Sequence, residues 1–141
     1  MGKLDGRTAL VTGASRGIGE QCARALNAEG ARVALAARSV SDMEAIAGDL
    51  NDAVVIEADM LTNGAGASLA AKAIDAMGGV DIVVNNAGIS DRQGDEHQVL
   101  QVNYIAPMEL TAALAPQVGE RSLADGAAAS STPLSMISHT R

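Results

Sequence analysis

The sequence predicts a doubly wound α/β fold, a parallel sheet with helices on both faces. Three observations predict it. Four short apolar runs alternate with four longer stretches of helical period. Every connection is long enough to hold a helix, as parallel neighbours with right-handed crossovers require. The apolar runs are nearly continuous, as strands covered on both faces are.

The first run, 8–12 (TALVT), is a short β-branched strand that stops at Gly13. Residues 17–29 follow as a helix, with Ile18, Cys22, Ala25 and Leu26 on one face and Gly30 at its C-terminal stop. The second strand is 32–37 (RVALAA). Ser41-Asp42-Met43-Glu44 has the capping-box pattern and predicts a helix from there to about residue 49. The third strand is 53–57 (AVVIE), and 65–77 (AGASLAAKAIDAM) is an alanine-rich helix stopped by Gly78-Gly79. The fourth strand is 80–85 (VDIVVN). After a polar loop (SDRQGDEH), a long helix is expected from about 97 to 115 or beyond, with Val99, Val102, Ile105 and Met108 on one side. Both periodicities fade after residue 118. The expectation is one domain over 1–118 and an irregular or disordered tail over 119–141.

The bulk properties narrow the function. A chain of 141 residues, 48% hydrophobic, is one ordinary domain with a real core. Tyr104 is its one aromatic residue, so Ala, Val, Leu, Ile and Met must fill that core. The net charge of −7, with scattered basic residues, argues against a nucleic-acid face. A lone cysteine, Cys22, forms no internal disulfide, and no apolar run reaches the roughly 18–20 residues of a membrane span. The beginning, MGKLDGRTALVTG, has no signal-peptide core, so the expected location is cytoplasmic.

Between the first strand and the first helix lies Thr12-Gly13-Ala14-Ser15-Arg16-Gly17-Ile18-Gly19. Glycines at such a junction let the backbone turn sharply and let a pyrophosphate approach the amides at the helix N-terminus. The same glycines also suit a plain tight turn; the strand before and helix after favour the phosphate. At a dinucleotide site of this kind, an acid at the end of the second strand would bond a ribose 2′-hydroxyl. Ala37 stands there and cannot. Arg38 follows it, and Arg16 lies inside the loop. Two guanidinium groups suit a 2′-phosphate, so NADP(H) is preferred over NAD(H), unless both are ordinary solvated arginines.

Taken together, these residues resemble the short-chain dehydrogenase/reductase family, 3-oxoacyl-carrier-protein reductases among them. Residues 12–19 resemble its TGxxxGxG loop, and Asn85-Asn86-Ala87-Gly88 its NNAG motif. Asp59 resembles the acid that contacts the adenine, with Met60 beside it. Asn103, in Val102-Asn103-Tyr104, resembles the asparagine that supports the active site. The resemblance covers about residues 5–118. It implies a Rossmann-type sheet in the order 3-2-1-4, incomplete at about four strands, and hydride transfer between NADP(H) and a small-molecule carbonyl or alcohol. The cofactor site it implies is Gly13, Ser15, Arg16, Gly17, Ile18, Gly19, Arg38, Asp59, Met60, Asn86, Ala87 and Gly88. Homo-oligomers are common among such enzymes; no nucleic-acid, membrane or metal partner is implied. Each match has a plainer reading: Asp59 as a helix cap, Asn85 and Asn86 as turn formers, Asn103 as a satisfied core amide.

The same resemblance implies a serine, a tyrosine and, four residues on, a lysine beyond the helix carrying Asn103. The lysines here are Lys3 and Lys72, both upstream, and Met108 stands four residues after Tyr104. His97 and His139 have no evident partners, and Ser130, Ser131, Ser135 and Ser138 have no general base near them in sequence. One cause is a frameshift between about residues 118 and 127: read from the third base of each codon, Ala127–Leu134 (AAASSTPL) is compatible with GGRIVNTS, which resembles the family's fifth strand. Without a fifth strand, Val80–Val84 would be an apolar sheet edge open to pairing. The functions to separate are therefore an oxidoreductase, a catalytically dead nucleotide-binding or oligomerisation module, and a non-functional truncated product.

Overall fold

The structure, a computed structural model, describes the backbone of residues 2–124 and 135–138, and the side chains as far as Gln117. Strands β1 (Thr8–Thr12), β2 (Arg32–Ala37), β3 (Val54–Glu57), β4 (Ile82–Asn85) and β5 (Ser135–Ser138) form one parallel sheet in the order β3-β2-β1-β4-β5. The predicted order 3-2-1-4 holds. The first two strands begin and end where the sequence predicts, and β3 and β4 start one and two residues later than expected.

Two apolar clusters cover the sheet, one on each face, as the doubly wound reading requires. One joins Leu10, Val83 and Ile56 to α3 (Ala65–Met77) and α5 (Ala106–Ala124). The other joins Val11, Val33 and Leu35 to α1 (Gly17–Ala28) and α2 (Val40–Ala47). Small residues let the helices lie close. A methyl group on Gly66 of α3 would collide with the Ala106 carbonyl and come within 2.7 Å of both Glu109 Cβ and the Leu110 nitrogen in α5.

Three helical expectations need correction. Helix α2 starts at Val40 rather than at the Ser41–Glu44 box and ends at Ala47. Its N-cap is Ser39, whose hydroxyl donates to Asp42 Oδ2 at 2.7 Å instead of capping an amide. The working capping box lies in the polar loop: Asp95 accepts from the Gln98 amide at 2.9 Å, and Gln98 Oε1 accepts from the Asp95 amide at 3.0 Å. It starts α4 (Glu96–Leu100).

The expected long helix is interrupted. A π turn, Gln101–Ile105, separates α4 from α5. The Ala106 amide donates to the Gln101 carbonyl, five residues back, and Pro107, which has no N–H, follows it. Val102, Ala106, Leu110 and Leu114, four residues apart, face the core, while Met108, midway between Ala106 and Leu110, is 50% exposed. The predicted stripe through Val99, Val102, Ile105 and Met108 advances three residues at a time, so it drifts about 60° per step around a 3.6-residue helix and leaves the buried face at Met108.

The boundary predicted at 118 falls inside α5, which continues to Ala124. Within the stretch expected to be irregular, Ser135–Ser138 pairs in parallel with β4, so β4 is not a free edge. Ala127–Leu134, the segment of the frameshift reading, lies outside the described residues, as does His139.

Candidate nucleotide-binding cleft

The carboxyl ends of β1, β2, β3 and β4 open into a cleft of about 930 Å³. Crevices at this end of doubly wound sheets bind ligands, because helix N-termini and loops converge there. Every residue predicted for the site lines it except Gly19. Gly19 is buried behind the loop, and its role is close approach. A methyl group there would collide with the Gly13 carbonyl and come within 2.6 Å of Asn86 Nδ2.

The glycine loop is held from two sides. The Ala14 amide donates to the Ala36 carbonyl at 3.3 Å. Asn86 Nδ2 donates to the carbonyls of Thr12 and Gly13, each at 3.2 Å. Thr12, 2% exposed, completes the junction: its hydroxyl donates to Val84 and accepts from the amides of Asn86 and Ala87 at 3.1 and 3.0 Å. The turn reading of Asn86 is thus too plain, since its side chain ties the β4 loop to the glycine loop. Helix α1 begins behind Arg16, whose backbone is extended and whose side chain makes no cap bond. Gly17 and Ile18, at its start, line the cleft, and the helix dipole there favours an anion.

Charge is distributed unevenly. Arg7, Arg24 and Arg32 each meet a carboxylate: Asp81, Glu20 with Asp49, and Asp52. Hydrogen bonds that Arg24 donates to Glu20 and then to Asp49 push its pKa up. Arg16 and Arg38 line the cleft, and neither has a carboxylate partner among the described residues. Ala37 sits at the end of β2 as predicted, with no acid in its place. Sequence counting missed Ser39 and Asp42, which the first turn of α2 brings to the same wall.

On the far wall, Asp59 Oδ1 accepts from the Leu61 amide at 3.0 Å, shaping the loop between β3 and α3. Asn103 makes a two-point clamp on Ile89: its Oδ1 accepts from the amide at 2.9 Å and its Nδ2 donates to the carbonyl at 2.8 Å. Asn103 is therefore a satisfied amide and also a wall of the cleft. Asn85, read as part of its motif or as a turn former, is the last residue of β4. It is 5% exposed, lines the cleft, and neither atom of its amide has a hydrogen-bond partner among the described residues. Ser138 of β5 stands opposite it in register. Sequence reasoning left Ser138 without a neighbour because the pairing spans more than fifty residues of chain. Among the described residues there is no group of His, Cys, Asp and Glu able to hold a metal, and no helix long and apolar enough to cross a membrane.

Residues 7–130 match the sequence model of the family described as short chain dehydrogenase. The rat protein named dehydrogenase/reductase SDR family member 7B is 37% identical over 129 residues, covering 79% of this chain and 40% of its own. Nodulation protein G of Rhizobium sp. (strain N33) is 43% identical over 119 residues, covering 79% and 49%. Among solved structures, a Pseudomonas aeruginosa RhlG/NADP active-site complex superposes with a TM-score of 0.79 at 33% identity, over 96% of this chain and 53% of that one. A metagenomic short-chain oxidoreductase in complex with NADP gives 0.72 at 35% identity, over 84% and 59%. A 7α-hydroxysteroid dehydrogenase complexed with NADH gives 0.76 at 26% identity, over 84% and 51%. The chain spans about half the length, or less, of the curated relatives it matches.

Proposed function

The chain belongs to the short-chain dehydrogenase/reductase family, and from that premise we propose that it binds NADP(H) in preference to NAD(H) and does not turn over substrate by itself. The observation that carries the cofactor preference is the pair of uncompensated guanidinium groups, Arg16 and Arg38, beside an alanine where a ribose-binding acid would stand. A 2′-phosphate carries up to two charges and three acceptor oxygens, which suit forked donors. The uncapped amides at the start of α1 would take the pyrophosphate. Asp59 and Met60 would flank the adenine, and Asn86, Ala87 and Gly88 the inner part of the dinucleotide. When bound, the nicotinamide supplies hydride transfer; the protein binds and orients it.

The family chemistry needs an acid or base at the substrate oxygen, and an unperturbed tyrosine titrates too high without a neighbouring cation. Ser138 pairs in register with Asn85 at the carboxyl end of the sheet. No tyrosine in the sequence precedes a lysine by four residues. That absence favours a second reading, a nucleotide-binding module that pairs with other polypeptide or with its own copies. Carbonyl or alcohol substrates belong to the whole-length proteins of the lineage.

Both parts are tested together. NADPH and NADH are titrated by fluorescence, and turnover is assayed with a generic ketone and an acetoacetyl thioester. Saturable NADPH binding tighter than NADH, without turnover, is expected. Tighter NADH binding overturns the cofactor preference, and robust turnover overturns the reading of an inactive chain.

A further inference from the structure

We propose that Gln101 is a positioning residue for the adenine end of the nucleotide, an inference that rests on the cofactor site just described. Gln101 opens the π turn two residues before Asn103 and is 8% exposed. Its Nε2 donates to the main-chain carbonyls of Met60 and Thr62, each at 3.3 Å, across 41 and 39 residues of sequence. A primary amide has two N–H donors, and both go to one loop.

That loop, between β3 and α3, carries Asp59 and Met60 into the cleft wall. At its start the Ala58 amide donates to the Ala37 carbonyl at 3.0 Å, tying it to β2; beyond Ala58 its other bonds are short-range, Leu61 N to Asp59 Oδ1, Thr62 N to Asp59 O and Ala65 N to Thr62 O. These fix the shape of the stretch from Asp59 onward but not the height of Met60–Thr62 above the sheet. Among the described residues, the side-chain hydrogen bonds reaching Met60–Thr62 from another element come from Gln101. Removing them leaves the Met60 carbonyl in a buried place without that donor, and the loop is free to move toward water. The Asp59 carboxylate would then leave the position from which it meets the adenine. The π turn matters here. Within three residues it aims Gln101 at the adenine-side loop and Asn103 at Ile89, so both walls of the cleft hang on one turn.

The test is Gln101→Met, which keeps length and approximate volume and loses the donors. Three probes are titrated: NADPH, 2′,5′-ADP for the adenine end, and pyrophosphate for the glycine loop. NADPH and 2′,5′-ADP are expected to weaken by the same factor, about tenfold, as for one lost buried hydrogen bond. Pyrophosphate affinity is expected to stay unchanged, whereas general destabilisation would lower all three alike. Wild-type affinity for 2′,5′-ADP in the variant, or an equal loss for pyrophosphate, overturns the assignment. Should the variant not fold, hydrogen exchange on the wild-type chain decides. Saturating 2′,5′-ADP should slow exchange in both 59–65 and 101–106; protection confined to the loop overturns it. If the wild type binds neither NADPH nor 2′,5′-ADP, the cofactor site itself is wrong. If it binds both and Gln101→Met binds both equally, only the role of Gln101 is.

Discussion

Arg38 follows the end of β2, exposed, lining the cleft and without a carboxylate partner among the described residues. A charge-assisted pair to a phosphate is strong only if the phosphate is there, so its removal discriminates between the two dinucleotides. Arg38→Ala is expected to weaken NADPH about tenfold or more and leave NADH nearly unchanged, with a smaller salt dependence than the wild type. Fluorescence titration at two ionic strengths checks this; equal losses for both nucleotides would remove the 2′-phosphate from the argument. Thr12 acts on the fold instead. Thr12→Val leaves the amides of Asn86 and Ala87 without their acceptor in a closed junction, at a cost of roughly 2–4 kcal/mol, measurable by urea denaturation. Much of the cleft was legible at this scale. The glycines, Asn86, Asp59 and Asn103 belong to short patterns whose chemistry can be read locally. The roles of Gln101 and Ser138 could not be read, because the Met60 and Thr62 carbonyls and the strand position of Asn85 lie far from them along the chain, and the sequence names no distance between them. Asp42 was hidden differently: counting along a strand does not foresee a side chain returned by the next helix turn.

The elements were legible wherever one period ran unbroken to a glycine. Helix α3 is the clearest case: its Ala65–Met77 span is the predicted one, and Gly78, at φ 75°, ends it in the left-handed conformation. The failures came where local chemistry competes with period. Ser41–Glu44 looks like a capping box, yet the chain starts α2 at Val40, with Ser39 bonded to Asp42. A π turn at Gln101–Ile105 interrupts the long helix, and the every-third-residue stripe drifts off the buried face by Met108. The packing of α3 on α5 gives a sharp test. Gly66 has its amide bonded to Glu109 Oε2 at 3.3 Å and has no room for a methyl group against the α5 backbone. Gly66→Ala is expected to cost about 1–3 kcal/mol despite the better helix propensity of alanine, because two backbones must separate. Thermal or urea unfolding measures the sign; a stabilised variant would mean that the helices are not in contact there.

At the scale of the whole molecule the sequence showed the architecture and missed its last strand. Four parallel strands in the predicted order are backed by long apolar runs, but Ser135–Ser138 is short and half serine, below any threshold that periodicity sets. Its evidence is the pairing with β4, which needs three dimensions to be seen. The cleft lies where β1, β2 and β4 end, so a ligand there touches the glycine loop, the β2 end and the Asn86 loop at once. These pieces come from chain segments that must all be folded for binding. A ligand that binds only the folded state stabilises it by mass action: at a hundredfold excess over its dissociation constant the gain is about 2.7 kcal/mol. For a chain of this length that is a rise in Tm on the order of 5–10 °C. NADPH at millimolar concentration is therefore expected to raise Tm by that amount, NADH by clearly less, and Arg38→Ala should bring the two shifts together. Differential scanning fluorimetry distinguishes the cases. A cooperative transition that neither nucleotide moves would mean that the three segments do not form one binding surface, whatever the sheet order.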